Sequence, residues 1–207
     1  MMIKNRTLQM WARRLHIYTS MALLLVVLFF TVTGITLNRA EHFVGTTRVD
    51  EQQILVPEST LFKTGSIKIN RESLIEFLRQ SADVKGFASE LDVYTEFHQG
   101  ELELGEVTMS FKAPGYSAAV FIDMTNRVAN IEQRDYGVIA LLNDAHKGRN
   151  CGPIWHAFID ITAILMTVFI LTGFILIMPK RRTFILSVKW MTAGSIAAGM
   201  FYYLAIP

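Results

Sequence analysis

The chain has 207 residues, of which 51% are apolar and 18% charged; its mean hydropathy is +0.32 and its formal net charge +2. That composition argues against an ordinary soluble domain, and so small a net charge gives no footing for nucleic-acid binding. Cys151 is the only cysteine, which excludes an intrachain disulfide.

The first element is a membrane span. Leu15 to Leu37 holds 23 residues without Asp, Glu, Lys or Arg, enough to cross a hydrocarbon core of about 30 Å at about 1.5 Å per helical residue. A basic leader, Met1 to Arg14, precedes it with Lys4, Arg6, Arg13 and Arg14, and Trp11 is suited to the headgroup region. The span is too long for a signal-peptide core and no A-x-A-like site follows, so it is expected to stay as an anchor. His16 falls about half a turn inside the boundary, where it either snorkels beside Arg13 and Arg14 or ligates a metal or haem. Thr33-Gly34 lies near the outer end.

Arg39 to Pro57 is polar with little periodicity and is expected to be a linker. Asn70 is a plausible N-cap for a helix carrying Leu74, Ile75, Phe77 and Leu78 on one face and ending near Gly86. Strand patterns follow at Leu91–Phe97, Glu103–Lys112, Ala118–Asp123 and Val128–Glu132. Turns are marked by Gln99-Gly100, Ala113-Pro114-Gly115 and Asp123–Asn126. One helix on a four-stranded antiparallel sheet makes a small α+β domain. It shows no carboxylate pair, activated nucleophile or phosphate loop, so it is expected to be a scaffold or binding module, with His98 a surface residue.

Tyr136 to Ala145 is expected to form a short interfacial helix, broken from the next span by Gly148, Gly152 and Pro153. The second span runs from Ile154 to Met178, interrupted by Asp160; the third, Trp190 to Ile206, is weaker and reaches only about 25 Å. Lys180, Arg181, Arg182 and Lys189 follow the second span. With the basic leader they place both segments in the cytoplasm by the positive-inside rule, and the long loop outside. In a bacterium this means an inner-membrane protein with a cytoplasmic N-terminus and a periplasmic loop. The expected divisions are 1–40 (leader and first span), 41–137 (α+β domain), 138–153 (interfacial helix and turn) and 154–207 (second and third spans).

The first two spans share a plan. Each opens with a histidine, His16 or His156, and each closes with Thr-Gly, Thr33-Gly34 or Thr172-Gly173. Antiparallel packing would set His16 level with Gly173 and His156 level with Gly34, glycine letting a flat ligand or another helix approach the backbone. Ionisable groups inside a membrane are costly enough to be functional candidates. Asp160, four residues after His156, is placed to accept the imidazole's second N–H, or else to pair with Arg149 or Lys147.

These residues carry a resemblance to the PepSY-associated transmembrane proteins, especially their short PepSY-TM-like branch. It rests on Arg13-Arg14-Leu15-His16, Thr33-Gly34, Ala113-Pro114-Gly115, the run from Leu142 to Arg149 (LNDAHKGR), and Trp155 through Asp160 followed by Leu171-Thr172-Gly173. The resemblance implies three transmembrane α-helices with a periplasmic PepSY-like α+β domain inserted between the first and second. Larger members are b-type haem proteins that reduce ferric siderophores, passing electrons across the inner membrane. Matched motif to motif, His16 and His146 take the places of ligands. On the outer side His42, His146 and His156 could supply two axial ligands; on the inner side Met178, Met191 or a second copy of the chain in a homodimer would complete the set with His16.

Two function classes stand. In the first, the chain is a haem b protein or a subunit of a larger membrane complex, reducing ferric iron or siderophores with electrons from a quinol or a protein donor, with Arg149, Lys147 or the Arg13/Arg14 pair neutralising haem propionates. In the second it is a non-catalytic PepSY anchor or accessory subunit binding a periplasmic partner. A metal-uptake accessory using His42, His146 and His156 is a third reading.

Overall fold

The computed structural model describes residues 5–43, 45–63, 66–67, 69–99 and 101–206. Lys4 of the basic leader and Gly100 of the expected Gln99-Gly100 turn lie outside the described residues. In chain order the elements are α1 (Arg6–Asn38), β1 (Arg48–Leu55), α2 (Glu58–Leu61), β2 (Phe62–Lys63), β3 (Ser66–Ile67), α3 (Arg71–Ala82), β4 (Phe87–Ala88), β5 (Asp92–His98), β6 (Glu101–Ala113), β7 (Tyr116–Asp123), β8 (Val128–Asp135), α4 (Gly137–Lys147), α5 (Pro153–Ile177) and α6 (Arg181–Ala205). The chain divides into two compact units, 1–28 with 157–207, and 29–156; α1 and α5 each contribute to both.

Three helices, α1, α5 and α6, are long and apolar enough to cross a membrane, with mean hydropathies of 2.3, 2.3 and 1.3 over their most apolar stretches. One lies towards the N-terminus and two at the C-terminal end of the chain, with the strand-rich region between them in sequence. Their apolar side chains face outward, as at Leu25 (74% exposed) and Phe201 (75%). In a water-soluble fold such surfaces would be buried; a lipid solvent removes the need.

The helices are longer at their basic ends than hydropathy predicts. α1 begins at Arg6 because the Asn5 side chain accepts from the Thr7 and Leu8 N–H groups at 3.0 and 3.3 Å, satisfying two of the unpaired donors of a helix start. The third span begins at Arg181, nine residues before the expected start at Trp190. Its 25 residues give about 37 Å. A hydropathy window stops at Lys189, but backbone hydrogen bonding does not, since long cationic side chains can reach away from the apolar zone.

The sheet of the unit 29–156 has strand order β1-β8-β7-β6-β4, with β5 also paired to β6 and every pairing antiparallel. One face carries Val107, Met109, Phe111, Ala118, Val120, Ile122, Ala129 and Ile131, all buried with Leu74, Leu78 and Ala82 of α3 in one cluster. Burial of a leucine such as Leu78 contributes about 1.5–3 kcal/mol. α3 starts where expected, the Asn70 side chain accepting from the Glu72 and Ser73 N–H groups.

Within the expected linker, Arg39 to Pro57, the structure has a strand instead. β1 pairs over its whole length with β8, from Arg48 opposite Asp135 to Leu55 opposite Val128. Its sequence, RVDEQQIL, lacks alternation because it is an edge strand largely exposed on both faces, and its partner lies some 80 residues away. Local pattern carries no trace of such pairing. With β1 and the two-residue β4, neither of them expected, the sheet has six strands rather than four.

Candidate functional site

Each unit holds one histidine wedged against a Thr-Gly pair. In the unit 1–28 with 157–207, His16 of α1 packs on α5. A Cβ built on Gly173 would come within 3.1 Å of the His16 Cε1, so the missing side chain is what admits the ring. The imidazole stacks on Phe169 at 4.4 Å between centroids and 11° between planes. Its Nδ1 lies 3.1 Å from the Phe169 carbonyl oxygen and 3.2 Å from Thr172 Oγ1. A carbonyl only accepts, so Nδ1 carries a proton and donates it to Phe169. The Thr172 hydroxyl donates to Val168 and Phe169 carbonyls on its own helix, which leaves it an acceptor towards His16.

The expected level of His16 with Gly173 is thus what the structure has. Beside it a cavity of about 310 Å³ is lined by His16, Phe169, Phe174, Phe184, Ser187 and Met191, among others. Of the two methionines considered as partners, Met191 lines this cavity and Met178 does not.

In the unit 29–156 a second histidine lies beside a Thr-Gly pair, at ordinary van der Waals distance from the glycine. Gly34 faces His146 of α4, whose Cε1 would lie 3.6 Å from a Cβ built there. His146 Nδ1 is 2.6 Å from Thr33 Oγ1. Thr33 is 3% exposed, and its hydroxyl donates to the Phe29 carbonyl at 2.7 Å. With that proton on Phe29, Thr33 Oγ1 accepts from the His146 Nδ1–H. Phe30 meets the ring edge-on at 5.0 Å.

His156 does not face Gly34, contrary to the expected pairing. Its neighbour Trp155 takes the inward position, donating Nε1–H to the Ala145 carbonyl at 2.8 Å and meeting Phe29 edge-on. Adjacent residues on a helix point about 100° apart, so His156 falls on an exposed face. Asp160 is also exposed. Arg149 pairs with Asp144 at 3.1 Å. His42 is exposed and bonds to Glu41 at 3.1 Å, so the outer histidines His42, His146 and His156 do not converge in hydrogen bonds or ring contacts. Among the described residues there is also no cluster of three or more metal-ligating His, Cys, Asp or Glu side chains.

What delivers His146 is local. Gly148, at φ +67°, caps α4 in the left-handed region, as helix C-termini require. Asp144 accepts from the Gly115 N–H at 3.0 Å and so docks α4 on the β6–β7 turn. Asn143 accepts from the Thr36 hydroxyl at 2.7 Å, fixing α4 against the end of α1.

Sequence reasoning singled out the glycines and passed over the threonines beside them. The signal was present, because Thr precedes Gly in both spans. The hydroxyls are what orient the imidazoles.

An imidazole held at Nδ1 by an oxygen is the arrangement found behind ligating histidines, and His16 and His146 are the residues that would offer one such ligand in each unit. Comparison with curated proteins and with solved structures finds no match. A family of transmembrane proteins described as PepSY_TM-like matches residues 10–207. That span takes in both Thr-Gly pairs, both wedged histidines and all three apolar helices, and the chain belongs to the PepSY_TM-like family.

Proposed function

We propose that the protein is a bacterial inner-membrane b-type haem protein, or a subunit of one, that passes electrons across the membrane for reduction of ferric iron or a ferric siderophore. The observation that carries this reading is the repeated arrangement of His16 on Thr172-Gly173 and His146 on Thr33-Gly34, each with Nδ1 held by an oxygen. His146 and His16 would each hold a haem iron, and Gly173 admits the His16 ring. Bound haem supplies one-electron chemistry. The chain's own part is to fix the tautomer, exclude water with Phe30 or Phe169, and hold the imidazole still between helices. The proposed orientation has a cytoplasmic N-terminus and a PepSY-like domain in the periplasm, after the positive-inside pattern of the basic residues.

A second reading is supported by the tightness of the same contacts. Stacked on Phe169 and bonded to α5, His16 also works as a bolt between helices, which suits a non-catalytic anchor. An absorption spectrum of the protein purified from haem-replete cells separates the two. The redox reading expects a sharp reduced α band that is lost in His146→Ala and changed in His16→Ala. Colourless protein would refute it.

A further inference from the structure

The segment that carries His146 also borders a cavity of about 550 Å³, lined from the end of α1, the β6–β7 hairpin and α4. Its charged lining is Lys112 of β6, Lys147 at the end of α4 and Arg149, against one carboxylate, Asp144. Asp144 is already committed, accepting from Gly115 N–H at 3.0 Å and from Arg149 Nε at 3.1 Å. Lys112 and Lys147 are exposed and have no ion pair or side-chain hydrogen bond among the described residues. Asn143 spends its oxygen on Thr36, so its amide N–H groups remain to donate. Ser117 and Tyr136, bonded to each other at 3.1 Å, add hydroxyls.

The cavity is therefore rich in donors and positive on balance. The C-terminal end of the α4 dipole opposes an anion there, but a half-charge at a helix end is weaker than two unpaired ammonium groups. We propose that this cavity binds a small polycarboxylate anion. Resting on the reductase reading, its natural ligand is a ferric polycarboxylate chelate. Cations come from separate elements and are interleaved with amide and hydroxyl donors, which suits a polydentate ligand with carboxylate and hydroxyl groups better than a point anion. The volume lies within the range of small-molecule sites. An anionic lipid headgroup shares part of this chemistry, and the test separates it.

The full chain in neutral detergent is titrated by calorimetry with citrate and with gallium(III) citrate, a redox-inert stand-in for the ferric chelate. Saturable binding that weakens with added salt is expected. Lys112→Gln and Lys147→Gln each lose about tenfold in affinity, as removal of one charge-assisted hydrogen bond does. Both residues are exposed, and an unchanged circular dichroism melt shows that the variants fold. No saturable binding, equal affinity in the double variant, or displacement by phosphatidylglycerol bicelles at far lower concentration than by citrate would overturn the proposal. The gallium titration needs no haem. Colourless protein that binds gallium citrate keeps the site and loses the reductase reading; haem-loaded protein that does not bind it keeps the reading and loses the site.

Discussion

Replacing Thr33 by Val keeps the shape of a side chain that is 3% exposed and removes the only hydrogen-bond acceptor described for His146 Nδ1. An unpaired polar N–H away from water costs about 1–3 kcal/mol. The imidazole is then free to turn or change tautomer, and loss of such a supporting acceptor lowers metal affinity about 10–100-fold. Thr172→Val is the internal control. There His16 Nδ1 retains the Phe169 carbonyl at 3.1 Å, so the cost falls to about 0.5–1 kcal/mol, the net worth of one shared hydrogen bond. Haem content per chain and the thermal midpoint in detergent are measured for both valine variants and for Thr33→Ser. The expected order is Thr33→Val most impaired, Thr172→Val mildly, Thr33→Ser near the parent. Equal damage from the two valines, or a serine variant no better than Thr33→Val, refutes the assignment of the hydroxyl as the orienting acceptor. A fall in the midpoint with an unaltered spectrum refutes the ligand role alone.

Two further outcomes follow from local geometry. Gly115→Ala places a Cβ 2.7 Å from the Leu141 backbone nitrogen at a residue with φ +67°, so the left-handed backbone and the clash together cost at least about 2 kcal/mol. The β6–β7 turn then pushes α4 away, and both the melting midpoint and the His146 spectrum shift; an unchanged midpoint would contradict the docking through Asp144. Cys151 has its thiol pKa raised, first by burial and then by the Asp144 carboxylate. A raised pKa means less thiolate at neutral pH, so maleimide labelling is slower than for a free cysteine and keeps rising with pH beyond the ordinary thiol range. A labelling rate that levels off at or below that range counts against this environment.

The sequence exposes features that repeat along the chain and hides those that depend on distant partners. α3 was legible because Asn70 and the spacing of Leu74 and Leu78 are local signals, and the wedge of His16 on Gly173 because both ends of the span pair are visible. β1 was not, since its polar residues acquire meaning only from β8. The partner of Gly34 was misread for a related reason. The two spans look alike from His16 and His156 onward, but Gly148 and Gly152 turn the chain so that α4 reaches Gly34 first, and Trp155 takes the inward place beside His156. A single position of helical phase thus moves the site residue ten places along the chain.

That shift bears on what the histidines are for. A bolt between helices needs shape and one hydrogen bond, and the threonine-glycine pair with almost any small polar partner supplies both. What an imidazole adds is a second nitrogen, and at His16 and His146 alike the first nitrogen is held by an oxygen. Both rings are half-buried and engage a threonine hydroxyl through Nδ1, so substitution of each imidazole decides what its second nitrogen does. If His16→Gln and His146→Gln, which retain a side-chain N–H donor towards the threonines, keep the parental melting midpoint but lose all absorbance, the second nitrogen is the functional atom. If they keep the absorbance as well, the histidines are bolts and the cofactor lies elsewhere.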